Sequence, residues 1–306
     1  MTSEDFRRIG AEVSNWGRWG AGDERGTTNL ITSREIVEAA RLVRKGAVFD
    51  LGIPLGADGP QAFPGRINPL HMMTETGAGQ DYPGGAKWSD DYVVMPLQAG
   101  TQWDAFAHVW YDGRLYNGFG EDEVGPHGAA RCSIDALGGG IAGRGVLLDV
   151  ARHAGVDWLE GGHVIGPETL DAVAERQGTE IRAGDVLLVR TGWWRKFAVE
   201  RDAAGWMSTE PGLGLDCVRW IRDHDLAALG MDNWGIEVAP GEDPAVTSPV
   251  HCVLLRDVGI PLGEIFDLEA LAEDCAGDGV HEFFFAAPPL KVTGAVGSPV
   301  NPLALK

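Results

Sequence analysis

Between Met95 and Gly118 the sequence MPLQAGTQWDAFAHVWYDGRLYNG holds Gln98, Gln102, Asp104 and His108. Where a backbone is extended, side chains alternate with period two, so these four share one side. An imidazole near a carboxylate is a proton-transfer pair suited to neutral pH. Amide and carboxylate oxygens are donors for a hard divalent cation. The neighbouring Trp103, Phe106 and Trp110 make burial of such polar groups costly unless they are paired or ligate something. A second set lies in PVHCVLLRDVGIPLGEIFDLEAL, residues 249–271, which contributes His251 and Glu264. Glu264 stands between IPLG and IFDL, an apolar setting that a carboxylate tolerates only with a partner.

The elements around these residues can be read from their patterns. Thr32 and Glu35 form a capping box ahead of apolar residues at helical spacing, and Gly46 supplies a stop, so a helix is expected over 33–45. AVFDLGIPL follows as a strand. GVLLDVA at 145–151 and DVLLVRTG at 185–192 are continuous apolar runs, the pattern of strands covered on both faces. Pro167 and Gly178 bracket a helix between them. A helix around Leu215–Arg222, a strand at Leu226–Met231, a helix from Pro249 to Arg256 and a strand near Ile260–Glu264 come next. Gly259 and Pro261 reverse the chain so that His251 and Glu264 can meet. FFFAAPPLKV reads as paired strands broken by Pro288 and Pro289. Alternating strands and helices imply an α/β fold with helices packed on a mixed sheet. The glycine- and proline-rich stretch 50–120 is expected to hold strands and long loops, where catalytic groups often sit.

Composition narrows the partners. The 306 residues are 44% hydrophobic and 23% charged, ordinary for a chain that buries a full core. A formal net charge of −20 disfavours nucleic acid, whose phosphates demand clustered Lys and Arg. There is no apolar run of membrane-spanning length and no secretory leader pattern, so no membrane partner and a cytoplasmic location are expected. Cys132, Cys217, Cys252 and Cys275 form no CxxC pair and read as buried thiols. No GxSxG or GxxxxGK[ST] motif occurs, and no GxGxxG follows a strand in a fingerprint position.

Residues 95–118 resemble the HxGTHxDxPxH signature of the cyclase and kynurenine-formamidase-like family of metal-dependent hydrolases. Gly100, Thr101, Asp104 and His108 match it; Gln98 and Gln102 stand at the two metal-binding histidines, and Phe106 stands at the proline. The 249–271 segment resembles that family's HxxLL…G…E element. GRGVLLDVA, AGDVLLVRTGWW and GMDNWGIE extend the likeness over roughly 50–275. The resemblance implies a swivelling β/β/α-type core in a single domain, 1–306, with a helical N-terminal extension, 1–45. It implies a metal set of Gln98, Gln102, Asp104, His251 and Glu264, and His108 as acid/base. The cofactor it implies is divalent, Mn2+ or Zn2+. Because glutamine is a neutral oxygen donor, the site should lean from zinc towards harder ions, and a site without an ion stays open.

The activity implied is hydrolysis of an amide, lactam or lactone in a small cyclic or aromatic substrate, with His71, Trp103 and Trp110 as candidates for the substrate wall. The assembly implied is a homodimer or homotetramer. Two other readings stand beside it: metal-independent acid/base chemistry such as cyclisation or isomerisation, and a catalytically silent small-molecule-binding protein. Glutamines 98 and 102 can equally pack and bond to backbone. Asp232 and Asn233, at a strand end, suit either a ligand contact or a turn.

Overall fold

The computed structural model describes residues 3–306. Its centre is a nine-stranded mixed sheet. In chain order the strands are β1 (Val48–Asp50), a separate hairpin of β2 (Leu70–Glu75) and β3 (Asp90–Val94), then β4 (Gln102–Asp104) and β5 (Ile141–Asp149). They continue with β6 (Val186–Arg190), β7 (Ala228–Met231), β8 (Leu262–Glu264), β9 (Glu282–Ala287), β10 (Gly297–Pro299) and β11 (Leu303–Leu305). Across the sheet the order is β1-β11-β9-β5-β6-β7-β8-β4-β10.

Strands β5, β6, β7 and β8 run parallel, joined by helical crossovers, and this stretch is buried on both faces as its apolar runs require. The flanking pairs, including β8–β4 and β4–β10, are antiparallel. This is the α/β architecture with a mixed sheet that the sequence leads one to expect.

Elements with strong local punctuation form as read. The helix Pro167–Gln177 starts on its proline and ends at Gly178 in the left-handed region. The Thr32–Glu35 capping box closes on both sides. That helix ends at Ala40, well before Gly46, because the next residues serve the sheet edge: Lys45 and Ala47 donate their backbone N–H groups to the Lys306 carbonyl. Likewise β1 spans only three residues, since its single partner is the short β11. Past Pro288 there is no strand at Leu290–Val292; β9 pairs with β5 and β11 instead, as the prolines remove ladder donors. The helix begun at Pro249 passes into a π-helix over Cys252–Val258, immediately after His251. All four cysteines are free and buried. No helix among the described residues is long and apolar enough to cross a membrane.

Gly230 and Gly263 face each other across β7 and β8, and their bare backbones admit two rings. A Cβ on Gly263 would lie 2.6 Å from Trp103 and 2.9 Å from Phe266. Neither ring can move without disturbing a close-packed core. Gly263→Ala should therefore destabilise the fold by about 1–3 kcal/mol, read as a lower urea midpoint at unchanged slope.

Candidate functional site

The site forms where β8 ends beside β4. Gln102 lies opposite Glu264, and Asp104 opposite Leu262. Period two then puts Gln102, Asp104 and Glu264 on one face and Trp103 on the other. Gln102 donates through Nε2 to Glu264 Oε2 at 2.7 Å and to Asp104 Oδ1 at 3.4 Å. Thr101 fixes the strand's entry: its hydroxyl donates to the Ile265 carbonyl and accepts from the Ile53 N–H.

His251 arrives from the helical segment after β7. Its Nε2 stands 3.0 Å from Glu264 Oε1 and 3.8 Å from Asp104 Oδ2, while Nδ1 is 2.7 Å from Glu237 Oε1. Glu237 also accepts the backbone N–H groups of Val250 and His251, so one carboxylate holds both ring and helix start. Burial opposes protonation of His251, but the hydrogen bonds to Glu237 and Glu264 outweigh it and hold the ring well above its ordinary value. Asp104 is wholly buried, and that desolvation pushes its carboxyl upward, with His108 pulling the other way. His108 follows the turn after β4, its Nε2 3.8 Å from Asp104 Oδ1, and burial lowers its pKa so that it is neutral near pH 7.

These groups fit a divalent cation. One ligand atom each from Asp104, His251 and Glu264 lie within 4.8 Å of one another. Asp104 Oδ2 and Gln102 Oε1 are buried without a hydrogen-bond partner. Orphaned oxygens in such an acidic cluster are costly unless a cation takes them.

Not every candidate from the sequence lies here. Gln98 sits in the turn before β4, outside the extended stretch, and its Nε2 packs by Gly297 without a hydrogen bond. Trp103 is in the core, donating to the Ala287 carbonyl and edge-on to Phe266 and Phe285. Trp110 donates to Glu121, and His71 pairs with Asp91 on the exposed hairpin. None of these three lines the cavity over the site. Asp232 accepts from Thr191 and Gly192, and Asn233 from Ile236, so both brace turns.

Three groups escaped the sequence reading: Glu237, Glu210 and Arg66 all line that cavity, of about 410 Å³, together with His108, His251 and Glu264. Glu210 is buried, its carboxyl raised by desolvation, and it accepts the N–H groups of Trp234 and Gly235. A signal for Glu237 was present: it interrupts the apolar run Ile236–Val238 much as Glu264 interrupts its own.

A cation competes with the proton on His251, because ligation needs the neutral ring. Since that proton is held well above the ordinary value, affinity should fall as pH falls. The loss should approach but not exceed about 10-fold per pH unit, the limit for one displaced proton. Calorimetric titration with Mn2+ in two buffers of different ionisation heat should show about one proton released.

The family model described as "Putative cyclase" matches residues 49–238. A crystal structure of "a novel cyclase" is 41% identical, covers 96% of this chain and 99% of its own, and superposes with a TM-score of 0.89. Isatin hydrolase A from Ralstonia solanacearum is 22% identical, with 90% and 98% covered and a TM-score of 0.64. A "predicted metal-dependent hydrolase" from Bacillus stearothermophilus is 17% identical, with 84% and 97% covered and a TM-score of 0.52; at these identities the last two share the fold. Among curated proteins nothing matches the sequence. With the family model spanning more than half of the chain and a close structural relative at 41% identity, the chain belongs to the cyclase family.

Proposed function

We propose that the chain is a hydrolase cleaving an amide, lactam or lactone bond in a small cyclic or aromatic substrate. The observation that carries this reading is the convergence of Asp104, His251 and Glu264, with orphaned Asp104 Oδ2 and Gln102 Oε1, beside a neutral His108 at the floor of a cavity. Isatin hydrolases and metal-dependent hydrolases among the structural neighbours support it.

His108 is the general base. Desolvation keeps its ring neutral and ready to accept a proton from water, and Asp104, 3.8 Å away, stabilises the imidazolium that results. The same proton then passes to the departing nitrogen or oxygen. Asp104, Glu264, His251 and the Gln102 carbonyl oxygen would hold the divalent ion, manganese being favoured over zinc by the oxygen-rich set. When bound, that ion supplies Lewis acidity to the substrate carbonyl and lowers the pKa of a coordinated water. Glu237 keeps His251 Nδ1 engaged, so that Nε2 is the atom offered to the site.

Turnover of an amide and lactone panel by manganese-loaded protein, compared with His108→Ala, tests this. The variant should lose about 100- to 10,000-fold in kcat with melting temperature and metal content unchanged. Wild-type turnover by the variant would overturn the role of His108. Equal turnover after chelation would favour metal-independent acid/base chemistry.

We further propose that the chain assembles with copies of itself through the β2–β3 hairpin. Every residue of both strands is exposed, among them Leu70, Met72, Met73, Tyr92, Val93 and Val94. A lone two-stranded ribbon is marginal in water, and both of its edges are open to pairing. The chain exposes 13306 Å², where a monomer of its mass would expose about 12,400 Å². Light scattering should give a multiple of 32.7 kDa, and Met72→Lys with Tyr92→Lys should reduce it to that mass. A wild-type monomer would refute the assembly.

A further inference from the structure

The cavity over the site has an acidic wall, to which Glu210, Glu237, Asp243 and Glu264 contribute. Among its lining residues one is an arginine and none a lysine: Arg66, in the loop ahead of the hairpin. Its charge is felt at both Asp104 and His108. Yet Arg66 pairs with no carboxylate among the described residues; its backbone N–H bonds to the Phe63 carbonyl and its guanidinium sits 5.0 Å from the Phe63 ring centroid.

Arg25, Arg41, Arg44, Arg114, Arg176 and Arg201 also lack a carboxylate among the described residues, but all six are exposed, whereas Arg66 is half-buried. The other arginines that are buried or half-buried, Arg144, Arg190, Arg195, Arg219, Arg222 and Arg256, all hold carboxylates. Three of the cavity's four acids are held away from Arg66, and the fourth, Asp243, accepts the Ala245 N–H through Oδ1 without reaching the guanidinium. Glu264 is engaged by Gln102 and His251, Glu237 by His251 and two backbone N–H groups, and Glu210 by those of Trp234 and Gly235. A guanidinium with unclaimed donors on a cavity wall is a planar fork matched to a carboxylate. Phe63, Val109, Trp234, Val238 and Val246 supply an apolar wall beside it.

We infer that Arg66 anchors a carboxylate of the substrate, so that the cleaved bond belongs to an aromatic or cyclic amide or ester bearing a carboxylate; this rests on the hydrolase reading above. An anion entering an acid-walled cavity in a chain of net charge −20 meets repulsion. The Arg66 fork offsets that repulsion at one place and thereby orients what enters.

Two measurements separate this subsite from the hydrolase reading. The first is calorimetric binding of phenylacetate and its neutral isostere phenylacetamide to wild type and to Arg66→Gln, each manganese-loaded and chelated. Wild type should prefer the acid, and Arg66→Gln should cut the acid-to-amide affinity ratio by about 10- to 100-fold in both metal states. Arg66→Lys should restore part of it, as a point charge without the fork. A ratio unchanged in Arg66→Gln, or an acid preference present only with manganese, overturns the subsite. The second is the kcat/KM ratio for 2-formamidobenzoate over formanilide, which should fall by the same factor through KM. Hydrolysis of neither compound would count against the hydrolase reading, while the binding ratio would still decide the role of Arg66.

Discussion

The hydrogen-bonded line from Glu237 through the His251 ring to Glu264 is the interaction on which the site depends. Four carboxylates, those of Asp104, Glu210, Glu237 and Glu264, are buried in one region of the fold. Buried like charges repel strongly and must be protonated, paired or bound to a cation. The chain uses more than one of these means. Desolvation raises Glu210 and Asp104, favouring their neutral forms, while His251 sits between Glu237 and Glu264 at 2.7 and 3.0 Å. An imidazolium there neutralises only part of the cluster, which is why the remaining Asp104 Oδ2 and Gln102 Oε1 read as places for a cation.

Holding acids this close requires the backbone carrying them to be overdetermined. Ile236, Ser248 and Ile265 all have positive φ, at 61°, 49° and 57°, and they stand next to Glu237, three before His251, and next to Glu264. For isoleucine this region is strained, and such residues persist only where surrounding bonds enforce them. Asn233 provides three of those bonds. Its Oδ1 accepts from Ile236, its carbonyl accepts from Ile265, and its Nδ2 donates to the Pro211 carbonyl, one residue after Glu210. One buried asparagine, through its side-chain amide and its backbone carbonyl, thus ties together the turns that carry Glu210, Glu237 and Glu264. Asp232 in turn anchors that turn to Thr191 and Gly192 at the end of β6.

What could be read from the sequence follows the range of the forces involved. Elements framed by local signals, such as the Pro167–Gln177 helix and the apolar strands β5 and β6, formed near the expected places. Elements whose length depends on a distant partner did not: β1 is cut to three residues by β11, and β9 pairs with β5, far earlier in the chain, and with β11 beyond two prolines. In the site, Asp104, His108, His251 and Glu264 do meet, two segments joined by β4 pairing with β8. Gln98 and the tryptophans show where the pattern was stretched too far. Only residues 102–104 are extended, so alternation sends Trp103 to the opposite face and says nothing of 98 or 110. Arg66, Glu210 and Glu237 reach the cavity from loops whose paths are set by tertiary bonds, beyond any local spacing rule.

The glutamine at 102 gives the site a property that a histidine would not. A carboxamide carries donor and acceptor on one group, and Gln102 spends its donor on Glu264 and Asp104 while its buried oxygen stays free. A neutral imidazole has one N–H and could serve one carboxylate at a time. The amide therefore relieves the carboxylates in the ion-free state and still has an oxygen to offer a hard cation. Because an entering cation must compete with those amide hydrogen bonds and with the His251 proton, its hold is weaker than the number of donors suggests. The acid cluster sets the demand for positive charge, and Gln102 and His251 together set how readily an ion can meet it.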